Sequence, residues 1–328
     1  MTSSDDHIDQ LRAALLAAVD DPEFAVTLPE WTTAEDLSRI GIESMLDDDP
    51  LGRTLISVGS IRITGDGVTG SAARVNEVAR VMTGFQRLAT AVGAAQAGDK
   101  ALGRKPNADV KRRTELLLTT EPSFGSVILT FTPLMTPAQE SGDPGMLDEY
   151  ETDDQMLDNA VGAAIDVFTA GNDIGPDPEQ SAFVHQLSDM GPRTASAVRD
   201  LAKTLDRASF DVDIDWKQPA RATKRVSVTA RAAGHMADVV EHANLDEQAV
   251  VIIGEYLTVS AVSAWVIQQD DGDAVTVKLG RIDPSQTRGL AVGDRIRVQA
   301  IMKTETTPGG NIKTTYAAQS FEKFGKPD

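Results

Sequence analysis

The chain has 328 residues, 41% of them apolar and 5% aromatic, with a formal net charge of −19 and no cysteine. That length and apolar content suit a globular protein of more than one domain and exclude disorder of the whole chain. The lack of cysteine excludes disulfides, thiolate metal sites and cysteine nucleophiles, and fits a reducing compartment.

The first ten residues, MTSSDDHIDQ, carry acids where a secretory signal needs a basic patch followed by an apolar core. No apolar run approaches the roughly 20 residues of a membrane-spanning helix. The expectation is a soluble, cytoplasmic chain with no membrane partner, and its Ala, Asp, Val, Arg and Thr richness resembles coding in high-GC bacteria. Charge is unevenly placed. Residues 1–50 hold 13 acids against two arginines, residues 137–178 hold 11 acids with no Lys or Arg, and from 217 onward 14 basic residues face 13 acidic ones.

In chain order, Ile8, Leu11, Leu15 and Val19 recur at helical spacing, and a second short helix follows Thr33, so residues 1–52 read as an acidic helical arm. Residues 53–136 read as a strand-helix-hairpin α+β domain. It has a strand at 54–64, a helix at 72–97 with an apolar stripe from Val75 to Val92, and a hairpin formed by TELLLTT and SVILTFT. The stretch 137–154 has Pro, Gly and acids without periodicity and reads as a linker or long loop. The next segment, 155–247, is helical and mixed. Helices are expected near 155–170, 179–207 and 229–243, together with the strictly alternating strand FDVDIDW at 210–216 and the strand RVSV.

From 248 to 328 the pattern changes to five short strands between turn signals. They include L-x-V-G-D-x-I-x-V at 290–298, where a Gly-Asp turn launches a strand. This segment resembles a small antiparallel barrel of the OB or SH3-like kind. The fold class expected for the whole is therefore α+β: an N-terminal α+β layer with a long amphipathic helix, central helices and a C-terminal small antiparallel β-barrel.

GDGVTGS at 65–71 matches the G-x-G-x-x-G pattern of a dinucleotide-binding turn. The acid-bearing second strand that pattern requires about 20 residues later is missing, because the helix is still running there. The glycines read instead as a tight turn between strand and helix, with Thr69 or Ser71 as N-cap. No cofactor is expected.

Asp211, Asp213 and Asp215 share one face of a strand, where same-face neighbours lie about 7 Å apart and two could reach one divalent cation. An acid-rich protein also places acids on any wet strand face, and charges protect an edge strand. His235, Asp238 and His242 share a helix face, but the histidines are seven residues apart, about 10 Å of rise, too far for one zinc. No G-x-S-x-G occurs.

Residues 248–322 hold seven basic and eight acidic side chains, and some of Tyr256, Trp265, Tyr316 and Phe321 must fill a core. Direct nucleic-acid binding is therefore not expected, since it needs a basic groove with exposed stacking aromatics and the chain repels polyanions. The basic loop carrying Lys100, Arg104, Lys105, Lys111, Arg112 and Arg113 could equally hold the acidic 137–154 segment.

The preferred reading is a non-catalytic binding or adaptor subunit of a bacterial multi-protein system with a protein partner. Ile8, Leu11 and Leu15 serve as anchors on the arm, and Arg295 and Arg297 as contacts on the barrel. Two alternatives stand beside it: an acidic inhibitor imitating nucleic acid, and a metal-dependent transferase or hydrolase using Asp211, Asp213 and Asp215.

Overall fold

The computed structural model describes residues 56–324, apart from 104, 120–126, 137–138, 141–154, 220, 271 and 308–310. The arm at 1–52, with Ile8, Leu11 and Leu15, lies outside the described residues.

One five-stranded antiparallel sheet forms the first layer, in the order β4-β5-β1-β6-β7. Its strands are β1 (Val58–Thr64), β4 (Leu116–Leu118), β5 (Val127–Pro133), β6 (Asp211–Lys217) and β7 (Lys224–Val228). The sheet draws strands from both sides of the acidic 137–154 stretch, so the segments 53–136 and 155–247 share one core. Period-two burial drives the assembly: Ile61 and Ile63 on β1 and Val212, Ile214 and Trp216 on β6 turn inward. Gly59 pairs directly with Trp216, and a Cβ at Gly59 would collide with the indole ring, so this position needs glycine.

Helices cover that inner face. They are α1 (Val75–Gln96), α3 (Met156–Gly171), α4 (Ala182–Met190), α5 (Pro192–Ala208) and α6 (Ala230–His242), with the short α2 (Ala108–Arg113) after α1. Helix α1 packs on α3 and α5, and α6 packs on α5. Burial on α1 runs from Val81 through Phe85, Leu88 and Val92, whereas Val75, at the start of the expected stripe, is 81% exposed.

The single helix expected at 179–207 is in fact a 3-10 turn (Pro178–Gln180), α4 and α5. Gly191 at φ 84° ends α4, and Pro192 starts α5, where its missing N–H costs nothing. Ser181 caps α4 by accepting from the Val184 N–H.

The C-terminal ring closes in the order β10-β12-β11-β8-β9. These strands are β8 (Glu247–Thr258), β9 (Trp265–Gln269), β10 (Ala274–Lys278), β11 (Arg295–Thr306) and β12 (Ile312–Phe324). Four seams are antiparallel and the β10–β12 seam is parallel, an arrangement that resembles the five-stranded Greek-key ring of the OB type. Trp265 fills its centre, with Tyr256 and Phe321 edge-on at 5.4 and 5.5 Å. The Gly-Asp turn behaves as its sequence suggests: Gly293 has φ 86°, and Asp294 accepts from the Ala291 N–H just before β11 begins.

A buried ion network joins barrel to helices. Arg199 on α5 binds Asp246 and Asp200 and donates to the Thr304 carbonyl at 2.6 Å, and Arg87 on α1 binds Asp200 and the Thr306 hydroxyl. Asp200 also accepts from the Thr306 N–H at 2.7 Å. Burial works to raise the Asp200 pKa, but the Arg87 and Arg199 charges outweigh it and hold the carboxyl below the ordinary aspartate value.

Removing Asp200 takes from Arg87 its carboxylate partner and from Arg199 one of its two, so D200A should cost about 3–5 kcal/mol in urea unfolding. The depressed folded pKa means that the contribution is complete above the unfolded value, about 3.9, and is lost as pH falls through the lower folded value. The stability gap between wild type and D200N should accordingly narrow below about pH 4.

Candidate functional site

The glycine stretch 65–71 forms a miniature hairpin. Gly65 takes φ 91°, β2 (Val68–Thr69) pairs with β3 (Ala72–Ala73), and Gly70 turns between them at φ 61°. Neither Thr69 nor Ser71 caps α1, as the sequence suggested; the N-cap is Arg74, which makes no side-chain cap. The hairpin places the N-cap three residues beyond Ser71, so neither residue stands at the capping position. The turn is tied to the end of α5 by the Gly67 N–H, which donates to the Ser209 carbonyl at 3.0 Å.

An open cleft of about 530 Å3 lies where this turn meets α6, lined among others by Asp66, Asp206, Asp211, His235 and Asp238. Asp211 accepts from the Ala230 N–H at 2.7 Å, and Thr229 accepts from the Ala232 N–H. Protein oxygens thus already occupy amides at the N-terminus of α6 that an anion would use. His235 and Asp238 face this cleft, whereas His242 directs Nδ1 to the Asp238 carbonyl.

The other two carboxylates of the strand row also have structural partners. Asp213 accepts from the Ser227 hydroxyl at 2.6 Å, and Asp215 pairs with Arg225 at 2.8 Å. Strand β6 lies inside the sheet between β1 and β7, so edge protection does not account for its acids. They balance Arg62 and Arg225 on the neighbouring strands instead. Among the described residues, no group of three or more His, Cys, Asp or Glu side chains is arranged to hold a metal ion.

On the barrel, Arg295 and Arg297 both project from the outer face of β11, alternating with buried Ile296 and Val298. Arg295 is engaged with Asp270 at 2.6 Å. Arg297 is exposed, stacks over the Phe324 ring at 5.1 Å, and makes no ion pair among the described residues. Beside it runs an apolar strip: Ile253 opposite Arg297, Val251 opposite Gln299, and Ala249 opposite Ile301. Val251 is 56% exposed. The barrel aromatics Tyr256 and Trp265 are spent on the core, with Phe321 against them.

A group of buried polar side chains around the start of α3 escaped the sequence reading. Asp158 accepts from the Trp216 indole N–H at 2.9 Å, and it borders a second cleft of about 400 Å3 that also meets Gln218, Arg221 and Lys224. Burial pushes its carboxyl above the ordinary range, and the Glu140 charge adds to the rise, while Ser57, Trp216 and Gln218 act against it. Glu140 accepts from the Met156 N–H and pairs with Arg113 at 2.6 Å, so the basic loop does hold an acid of the 137–154 segment. A signal existed: Asp158 stands three and seven residues before buried Val161 and Ile165, on the apolar stripe of its helix.

No protein-family model matches this chain, and neither does any curated protein or solved structure.

The strand acids should separate by their partners. D211A, which frees a helix N-terminus, should cost about 0.5–2 kcal/mol. D215A breaks a pair that is largely solvated and should cost less than about 1 kcal/mol. Equilibrium denaturation of the two variants under one set of conditions measures the difference.

Proposed function

We propose that this chain is a non-catalytic binding subunit, an adaptor in a bacterial cytoplasmic assembly, whose C-terminal barrel docks a protein partner. One observation carries the reading. The outer sheet of β8, β11 and β12 presents an apolar strip of Ala249, Val251, Ile253 and Ile301 beside the exposed Arg297 guanidinium. An apolar centre with an arginine at its margin suits a protein interface, where arginine and buried apolar groups contribute most of the affinity. Nucleic acid is disfavoured as the direct ligand, because Tyr256 and Trp265, which could stack on bases, are enclosed in the barrel. The three aspartates of β6 have partners inside the fold, which lowers the appeal of metal-dependent transfer there.

The test is native mass spectrometry of the protein purified from its host, with and without nuclease, followed by the paired variant V251D/R297E. A stoichiometric protein partner should survive nuclease. The variant should weaken that partner by about 2 kcal/mol or more, roughly 30-fold, while leaving thermal unfolding unchanged. Binding that ignores the variant but collapses with added salt would instead favour an acidic surface that imitates nucleic acid.

A further inference from the structure

Buried polar atoms of a folded protein nearly always have partners, and a cluster of exceptions calls for a missing water or ion. Four such exceptions surround the first turn of α3: Ser57 Oγ, Glu140 Oε2, Gln155 Oε1 and Asp158 Oδ2. All four are oxygens. Ser57, Gln155 and Asp158 are each 1% exposed, and the Glu140 side chain is 2% exposed. Their neighbourhood is fixed by contacts already described. Glu140 Oε1 accepts from the N–H of Met156, the first residue of α3, and Gln155 precedes that residue as N-cap. Asp158 follows one turn later, near enough to Ser57 and Gln218 for weak hydrogen bonding whose geometry falls short of ideal and leaves Oδ2 incompletely matched, and within reach of the Glu140 charge.

Two carboxylates, one amide carbonyl and one hydroxyl make a hard, all-oxygen donor set, the kind that suits calcium or magnesium and offers nothing to a soft metal. We propose that these four side chains form a site for a hard divalent cation. Asp158 and Glu140 supply the charge, and Gln155 and Ser57 supply neutral oxygens. The arrangement accounts for two interacting buried acids, of which Glu140 is paired with Arg113 among the described residues, while Arg221 and Lys224 line the cleft beside Asp158. Carboxylates buried together are costly away from water unless compensated. Of the four, Asp158 also borders the 400 Å3 cleft, the side from which an ion and its water ligands would approach. The site shares no residue with the β6 row.

The experiment uses the full chain, stripped with a chelator and titrated with calcium or magnesium chloride by calorimetry, with thermal unfolding in parallel. One site should appear for at least one of the two ions, together with a rise in Tm. D158N should abolish it, E140Q should weaken it at least about 10-fold, and D213N on the exposed sheet face should leave it intact. Terbium supplies a positional readout, because an ion held by Asp158 sits beside the Trp216 indole. Excitation of tryptophan should sensitise terbium emission, and W216F should extinguish it. The inference is overturned if wild type shows neither heat nor a Tm shift with either ion. It is equally overturned if binding persists undiminished in E140Q and D158N, which would place the ion elsewhere in this acidic chain. Should D158N fail to fold, wild type and E140Q alone decide the matter.

Discussion

The barrel is seated by charge. Arg199 is almost fully enclosed, and each arm of its guanidinium meets a carboxylate or a carbonyl. Burying ions is expensive, and such a network rarely adds stability over a well-packed apolar contact. What it adds is direction, because a planar fork accepts partners only at set angles. The partners here are the Thr304 carbonyl and, through Asp200, the Thr306 backbone, both at the C-terminal end of β11. Anchoring one end of a strand fixes the other. Arg297 lies nine residues before Thr306, roughly 30 Å along an extended chain. The network therefore holds the outer face of the barrel at a set position relative to the helical layer.

The first layer works differently, by apolar alternation in its strands. The inward faces of β1, β5, β6 and β7 merge with the helices into one core, although an acidic stretch of sequence separates their contributions. The outward face is organised by charge matching across strands: Arg62 opposite Asp213 and Arg225 opposite Asp215. Such exposed pairs contribute little individually. Their role is to keep the acids of β6 tolerable in the middle of a sheet, where β1 and β7 both press against them.

Much of this was legible beforehand. FDVDIDW gave a strand and its inner face because alternation depends only on the pleat, and the turn before β11 followed from Gly293 and Asp294. Pairing was harder to read. Nothing local says that β10 joins β12 in parallel, since that seam closes only after the ring has folded. The break at Gly191-Pro192 was written in the sequence, yet strong helical patterns on either side masked it. Arg87, Arg199 and Asp200 belong to no sequence motif and are, by local pattern, charges on helices. Only the barrel lying over them converts them into a buried network, and long-range packing of that sort leaves no periodic trace.

The same limit applies to the acids. With 50 carboxylates and a charge of −19, composition makes every aspartate look alike, and attention goes to rows such as Asp211, Asp213 and Asp215. The structure separates them by their partners. Those three stand on the wetter face with a backbone amide, a hydroxyl and a guanidinium as partners, which lowers the free energy of each charge. Asp158 stands among Leu157, Ala160 and Val161 with one oxygen unmatched. A carboxylate in that position is costly unless something compensates it, and that cost, rather than the number of acids in a row, is what sets Asp158 apart from the strand aspartates.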